Sequence, residues 1–138
     1  MSNNQRIVSI VDDEIDITEL FHDALCNNID GTTVLAFNDP VIALEHFTDN
    51  KENYALVISD LRIPYLNGLE LLKRVKKING KVRTMLISTN DIENDIAFQH
   101  YAELGIIDSF IPKPVTINQL CQKVRDELLV YQMAVNLK

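Results

Sequence analysis

The chain has 138 residues, 46% of them hydrophobic, and a formal net charge of −7, which leaves room for one well-buried core and hardly for two. The acidic balance argues against direct nucleic-acid binding through phosphate contacts, which needs a basic face. No apolar run approaches the ~20 residues of a membrane span, and the start Met1-Ser2-Asn3-Asn4-Gln5-Arg6 lacks the character of a signal peptide, so a soluble, cytoplasmic protein with no membrane contact is expected.

Apolar runs and helical periodicities alternate along the chain. Ile7 to Val11 reads as a short buried strand, and from Glu14 to Gly31 the residues Ile15, Leu20, Phe21, Ala24 and Leu25 recur at helical spacing. Thr33 to Phe37 is a β-branched and aromatic strand. Asn38-Asp39-Pro40 then gives a helix start, with Val41, Leu44 and Phe47 as its apolar stripe. Residues 55–59 form a third strand. Asn67-Gly68 opens a third helix with Leu69, Leu72, Val75 and Ile78 inward, closing near Asn79-Gly80. Val82 to Ile87 is a fourth strand, Asp91 to Leu104 a fourth helix stopped by Gly105, and Ile106 to Ile111 a fifth strand. The last helix starts at an N-cap near Thr116 and carries Ile117, Leu120, Cys121, Val124 and Leu128.

Five strands alternating with five helices predict an α/β fold, a parallel sheet covered on both faces. The chain is expected to be a single domain over 1–138, with no repeat or linker. Near its end, Val130, Tyr131, Ala134 and Val135 either pack back on the body or mark a continuation or dimer seam. Cys26 and Cys121 lack a metal or redox spacing and read as reduced packing residues. His22, His46 and His100 read as surface or packing residues, and Lys73, Arg74, Lys76 and Lys77 as a solvated basic face.

Ligands of open α/β sheets bind outside the carboxyl ends of the strands. There the sequence places Asp12 and Asp13, Asp60, and Ser88 with Thr89, while Lys113 lies just past the fifth strand between Pro112 and Pro114. Acids at a helix start also cap free amides, worth ~0.3–1 kcal/mol each. Three clustered carboxylates repel one another unless a cation intervenes, and Mg²⁺ is a hard ion held by one or two carboxylates plus waters and phosphate oxygens. A carboxylate such as Asp60 can accept a phosphoryl group, and Lys113 suits a phosphate as a point charge. Phe110 reads first as a core residue.

The combination resembles the response regulator receiver domain (CheY-like) of two-component signal transduction, over essentially the whole chain. Asp12 and Asp13 match its acid pair. The segment from Asp60 to Gly68 matches its phosphoacceptor motif, with Ile63 in place of Met. Ser88 matches the hydroxyl ending the fourth strand, Lys113-Pro114 the Lys-Pro after the fifth, where receivers usually hold a cis bond, and Phe110 the switch aromatic. The resemblance implies a three-layer α/β/α, flavodoxin-like (βα)5 fold with strand order 2-1-3-4-5. It implies transfer of a phosphoryl group to Asp60 from a phosphohistidine of a sensor histidine kinase or histidine phosphotransfer protein.

In that reading Asp13, Asp60 and the backbone carbonyl of Arg62 bind Mg²⁺ directly, and Asp12 usually binds through water. Ser88 and Lys113 take the phosphoryl oxygens. Ser88 and Phe110 form a switch that alters the face of the fourth helix, fifth strand and fifth helix for an unknown downstream protein target or a homodimer. The chain would be no enzyme beyond catalysing its own phosphorylation and dephosphorylation. Four positions depart from the usual pattern or tune it. Thr89 replaces a small residue and is expected to crowd the path of Phe110; Pro112 removes a strand donor and is expected to shift Lys113; Arg62 and Asn90 sit where receivers tune phosphoryl lifetime. Two other readings compete. A haloacid-dehalogenase-type phosphohydrolase needs a second Asp where Arg62 stands. A degenerate receiver acting as a phosphorylation-independent interaction module would have no need of the retained site residues.

Overall fold

The computed structural model describes residues 6–136; Met1 to Gln5, Leu137 and Lys138 lie outside the described residues. Five strands, β1 (Arg6–Val11), β2 (Thr32–Phe37), β3 (Tyr54–Asp60), β4 (Arg83–Ser88) and β5 (Ser109–Pro112), alternate with five helices. The helices are α1 (Ile15–Asn28), α2 (Pro40–Asp49), α3 (Gly68–Ile78), α4 (Ile96–Glu103) and α5 (Ile117–Asn136). All strand pairs are parallel, in the order β2-β1-β3-β4-β5. This is the flavodoxin-like three-layer arrangement expected.

Alternation along β3 shows how the layers are filled. Leu56 and Ile58 point to one face with Phe21 and Leu25 of α1 and Leu120, Val124 and Leu128 of α5. Val57 points to the other, with Ala43 and Phe47 of α2 and Leu69, Leu72 and Val75 of α3. Every residue of β3 is buried, as the central strand of a doubly covered sheet requires. The helix starts obey local chemistry: Asp39 Oδ1 accepts the Val41 N–H (2.8 Å) with Pro40 in the first turn. At α5, Thr116 Oγ1 accepts the Gln119 N–H (3.1 Å) while Gln119 Oε1 accepts the Thr116 N–H (3.0 Å), a reciprocal capping box.

Several expectations are corrected. The predicted helix over Asp91 to Leu104 is split into a 3₁₀ turn, Asn90–Asn94, and the short α4. Asp95 stays extended and its Oδ1 accepts the Phe98 N–H (3.1 Å), so a side chain that competes with helical backbone starts the helix late. β5 begins at Ser109 because Asp108 Oδ2 accepts the Thr84 N–H (2.9 Å) that a strand carbonyl would otherwise take. Ile15, Leu20 and Val41 are exposed, and so is Ile78 at the end of α3. Cys26 is exposed rather than packed; Cys121 is buried. Lys76 is not solvated with its neighbours but paired with Asp108 at 2.7 Å. At the end of α5, Tyr131 packs back on the core whereas Val130 is exposed.

Candidate functional site

At the carboxyl end of the sheet, β1 hands the chain to Asp12 and β3 terminates in Asp60, their residues 5% and 6% exposed. Both are buried by the strands that carry them, with only the rim left open. Asp60 is fixed at both oxygens. Lys113 Nζ lies 2.7 Å from Oδ1, and the Arg62 N–H donates to Oδ2 at 3.2 Å. The N–H of Lys113 donates to the Ser88 carbonyl at 2.7 Å, which continues the β4–β5 ladder past Pro112. Pro112 therefore leaves the side chain of Lys113 aimed at Asp60, against the expected shift. The Lys113-Pro114 peptide is cis, as the resemblance implied.

Gly68 is the residue whose role the sequence alone did not disclose. Its N–H donates to the Leu61 carbonyl (2.9 Å), and a Cβ placed on it would stand 2.3 Å from the Asp60 carbonyl oxygen. Only glycine lets the start of α3 back onto the end of β3 this closely. The Asn67-Gly68 pair carried a signal, but one legible as a helix start rather than as a contact. Between Asp60 and Gly68, Tyr65 has φ +73° and the Leu66 N–H donates to the Pro64 carbonyl at 2.8 Å. That is a γ-turn of the strained kind at a non-glycine residue.

Asp12 is a turn holder: its Oδ1 accepts the Glu14 N–H (3.0 Å), while its carbonyl accepts Asn38 Nδ2 (2.8 Å). Burial pushes its carboxyl up to about 6, aided by the charges of Asp60 and Glu14, against the Glu14 N–H and Lys113, which pull it down. Burial lowers the Lys113 ammonium, but its hydrogen bond and charge pairing with Asp60, with Asp12 and Glu14 adding, outweigh this and leave it raised. Asp13 is exposed. Among the described residues no three acidic, histidine or cysteine side chains converge at metal-ligand distance. The structure thus brings Asp12, Asp60 and Lys113 together and leaves Asp13 at the open rim beside them. The donor chemistry still fits a hard divalent ion: oxygen ligands, two of them buried carboxylates, one pushed up by burial and by the charge of the other.

Ser88 is buried at the end of β4 beside Asp60, since Asp60 pairs with Ile87 in the ladder. Thr89 faces out, its hydroxyl donating to Asp91 Oδ1, and so does not crowd Phe110 as expected. Phe110 is half-buried with its ring edge-on to Phe98 of α4, centroids 5.3 Å apart. The side chain of Asn90 lies outside the described residues. Beside the rim, Ile17, Leu20, Phe21, Ile87, Pro114 and Val115 line a cavity of ≈ 450 Å³ that Asp12, Glu14 and Lys113 close at its polar end. His22, His46 and His100 do not line this cavity, and His46 instead meets the Tyr54 hydroxyl at 2.8 Å.

Comparison with known proteins places the chain in a family. The family model described as the response regulator receiver domain matches residues 8–125. A transcriptional regulatory protein CpxR homolog of Haemophilus influenzae is 32% identical over 117 residues, 84% of this chain and 47% of that protein. Sporulation initiation phosphotransferase F of Bacillus subtilis is 32% identical over 125 residues, 91% of this chain and 94% of that protein. The chain thus spans about half of one relative and nearly all of the other. A solved response regulator receiver domain protein of Clostridium thermocellum superposes with a TM-score of 0.80 at 25% identity, over 94% of this chain and 98% of that one. With the family model, the relatives and the sheet order in agreement, the chain belongs to the response regulator receiver domain family of two-component systems.

Proposed function

We propose that this chain is an active phosphoacceptor, one receiver domain over 1–138, in which Asp60 takes a phosphoryl group from a phosphohistidine. The observation that carries this reading is the hold on Asp60: a buried carboxylate at the end of a buried strand, gripped by Lys113 at 2.7 Å and by the Arg62 N–H at 3.2 Å. In the transfer, an Asp60 oxygen forms the bond to phosphorus as the bond to the donor's imidazole nitrogen breaks, and the freed nitrogen retains the electron pair. Asp13, Asp60, the Arg62 carbonyl and, through water, Asp12 are the donors read for Mg²⁺, which when bound neutralises charge between carboxylate and phosphoryl oxygens. Lys113 balances the charge of the acyl phosphate, and the Ser88 hydroxyl takes one of its oxygens.

The donor is read as a sensor histidine kinase or histidine phosphotransfer protein, in the cytoplasm. The apolar side of the cavity, with exposed Leu20 and Ile15 on the same helix, supports docking of an apolar helical partner next to Asp60. Among the described residues, no helix is long and apolar enough to cross a membrane. Uptake shifts the α4–β5–α5 face through Ser88 and Phe110, because new acceptor oxygens bind the two states unequally. An unidentified protein target or a second copy reads that face.

The test is intact mass after incubation with Mg²⁺ and acetyl phosphate, or with a phosphohistidine donor, beside Asp60→Asn. One added phosphoryl group in the parent alone is expected. No uptake from either donor type overturns the proposal and leaves a receiver that works as an interaction module.

A further inference from the structure

β2 ends at Phe37, and the two residues that follow face different tasks. Asp39 caps α2, its Oδ1 accepting the Val41 N–H at 2.8 Å. The side chain of Asn38 is not needed to start that helix, and it reaches the other way, into the turn between β1 and α1. There Asn38 Nδ2 donates to the Asp12 carbonyl at 2.8 Å and to Thr18 Oγ1 at 3.0 Å. The Thr18 hydroxyl gives its own proton to the Ile15 carbonyl at 3.0 Å. Both groups facing the amide are therefore acceptors, and its two N–H bonds are matched one to one. Thr18 is 1% exposed, so this contact ties the ends of β1 and β2 to a buried point on the first turn of α1.

The consequence falls on the acid pair. Asp12 is held at both backbone polar groups: its N–H donates to the Phe37 carbonyl at 3.1 Å, and its carbonyl accepts Asn38. Its Oδ1 is held as well, by the Glu14 N–H at 3.0 Å. Asp13 differs, for it is exposed, and among the described residues its carboxylate enters no hydrogen bond or ion pair. What aims it is the backbone it leaves from. A peptide unit is planar, so pinning the Asp12 carbonyl also fixes where the Asp13 N–H points and where its Cα lies. We infer that Asn38 is a positioning residue for the divalent cation, a role that rests on the proposed reading of Asp13 and Asp60 as Mg²⁺ donors. Through the Asp12 carbonyl, with Thr18 as its second anchor, Asn38 aims the acid pair and never touches the ion. Partners that orient ligands in this way contribute about 10–100-fold to metal affinity. A mere brace behaves differently: its loss lowers stability and leaves the affinity of the folded protein unchanged.

Mn²⁺ serves as the probe, with Mg²⁺ as competitor, because binding removes the sharp paramagnetic resonance signal of the free ion. The full chain is expected to bind one Mn²⁺, and Asp13→Asn to lose it. Asn38→Ala should weaken Mn²⁺ and Mg²⁺ about tenfold at the same stoichiometry. Asn38 is exposed, so this substitution empties no core space. Its phosphoryl uptake from acetyl phosphate should fall at limiting Mg²⁺ and return to near the parent rate at saturating Mg²⁺. Thr18→Val, which removes the hydroxyl at nearly constant volume, weakens binding less, and Thr18→Ser keeps the parent affinity. Asp39→Ala removes the neighbouring cap, and is expected to lose stability in urea while keeping its affinity for Mn²⁺. Parent affinity in Asn38→Ala overturns the inference, and so does an equal weakening in Asp39→Ala. Absence of binding in the parent, or full binding in Asp13→Asn, overturns the assignment of the Mg²⁺ donors and the role of Asn38 with it.

Discussion

At the amino end of the sheet, Arg83 reaches Glu127 of α5 at 2.6 Å and Asp108 at 3.6 Å, and Lys76 of α3 meets Asp108 at 2.7 Å. Ser109 Oγ also donates to Glu127 Oε2, and the Thr84 N–H to Asp108. Two cations there answer two carboxylates, and the neighbouring polar groups satisfy what remains. At the carboxyl end, Asp12, Glu14 and Asp60 act together on Lys113, and burial still pushes Asp12 up to about 6. The same sheet therefore closes its charges at one end and leaves them unbalanced at the other. A balanced end ties helices to strands. An unbalanced one disfavours its own carboxylates until a cation or a proton intervenes.

Substitutions at each end should separate these roles. The largest effect is expected from Lys113→Met, which removes the cation poised on Asp60: phosphoryl uptake should slow by about 10²–10³-fold, the scale for losing one preorganised charge-stabilising donor, read as the rate of mass gain with acetyl phosphate. At the other end, Glu127→Ala strands Arg83 in a largely buried position. About 2–3 kcal/mol of stability should be lost in urea unfolding, the Asp108 contact limiting the damage, while phosphoryl uptake continues. If uptake fell in proportion to stability, the two ends would not be separable.

Asp12→Asn should do the reverse and stabilise the metal-free protein. The folded carboxyl sits near 6, above its ordinary 3.8, so the folded state binds the proton more tightly. Between these values stability falls as pH rises, and above about 6 the full penalty is present. A gain on the order of 2 kcal/mol for Asp12→Asn is expected above pH 6 and none below about pH 4, measured by unfolding across that range. Mg²⁺ affinity should weaken in the same variant. The smallest effect is expected at the rim loop: Tyr65→Gly relieves a left-handed γ-turn at a residue 90% exposed, raising stability by about 1 kcal/mol or less after the entropic cost of glycine.

The sequence determined the alternation of elements and where the candidate site sits, because both are written in short runs. Buried parallel strands must be continuously apolar, so Leu56 to Ser59 announces β3 and its abrupt end announces Asp60. Ser88 and Lys113 follow by the same logic. Helix faces were less legible. Ile15 and Leu20 fit the apolar periodicity of α1 and yet are exposed, since periodicity counts residues and cannot tell a core stripe from a docking stripe beside a site. The start of α4 was misplaced because the capping side chain of Asp95 overrides the pattern.

What only the tertiary structure decided are the relations between distant segments. That Gly68 lies against the Asp60 carbonyl, that Lys113 closes on Asp60 despite Pro112, and that Lys76 and Arg83 meet on Asp108 all depend on strand order and helix placement. Neither periodicity nor motif spacing carries that information, because contact across a sheet is set by register and crossover rather than by separation along the chain.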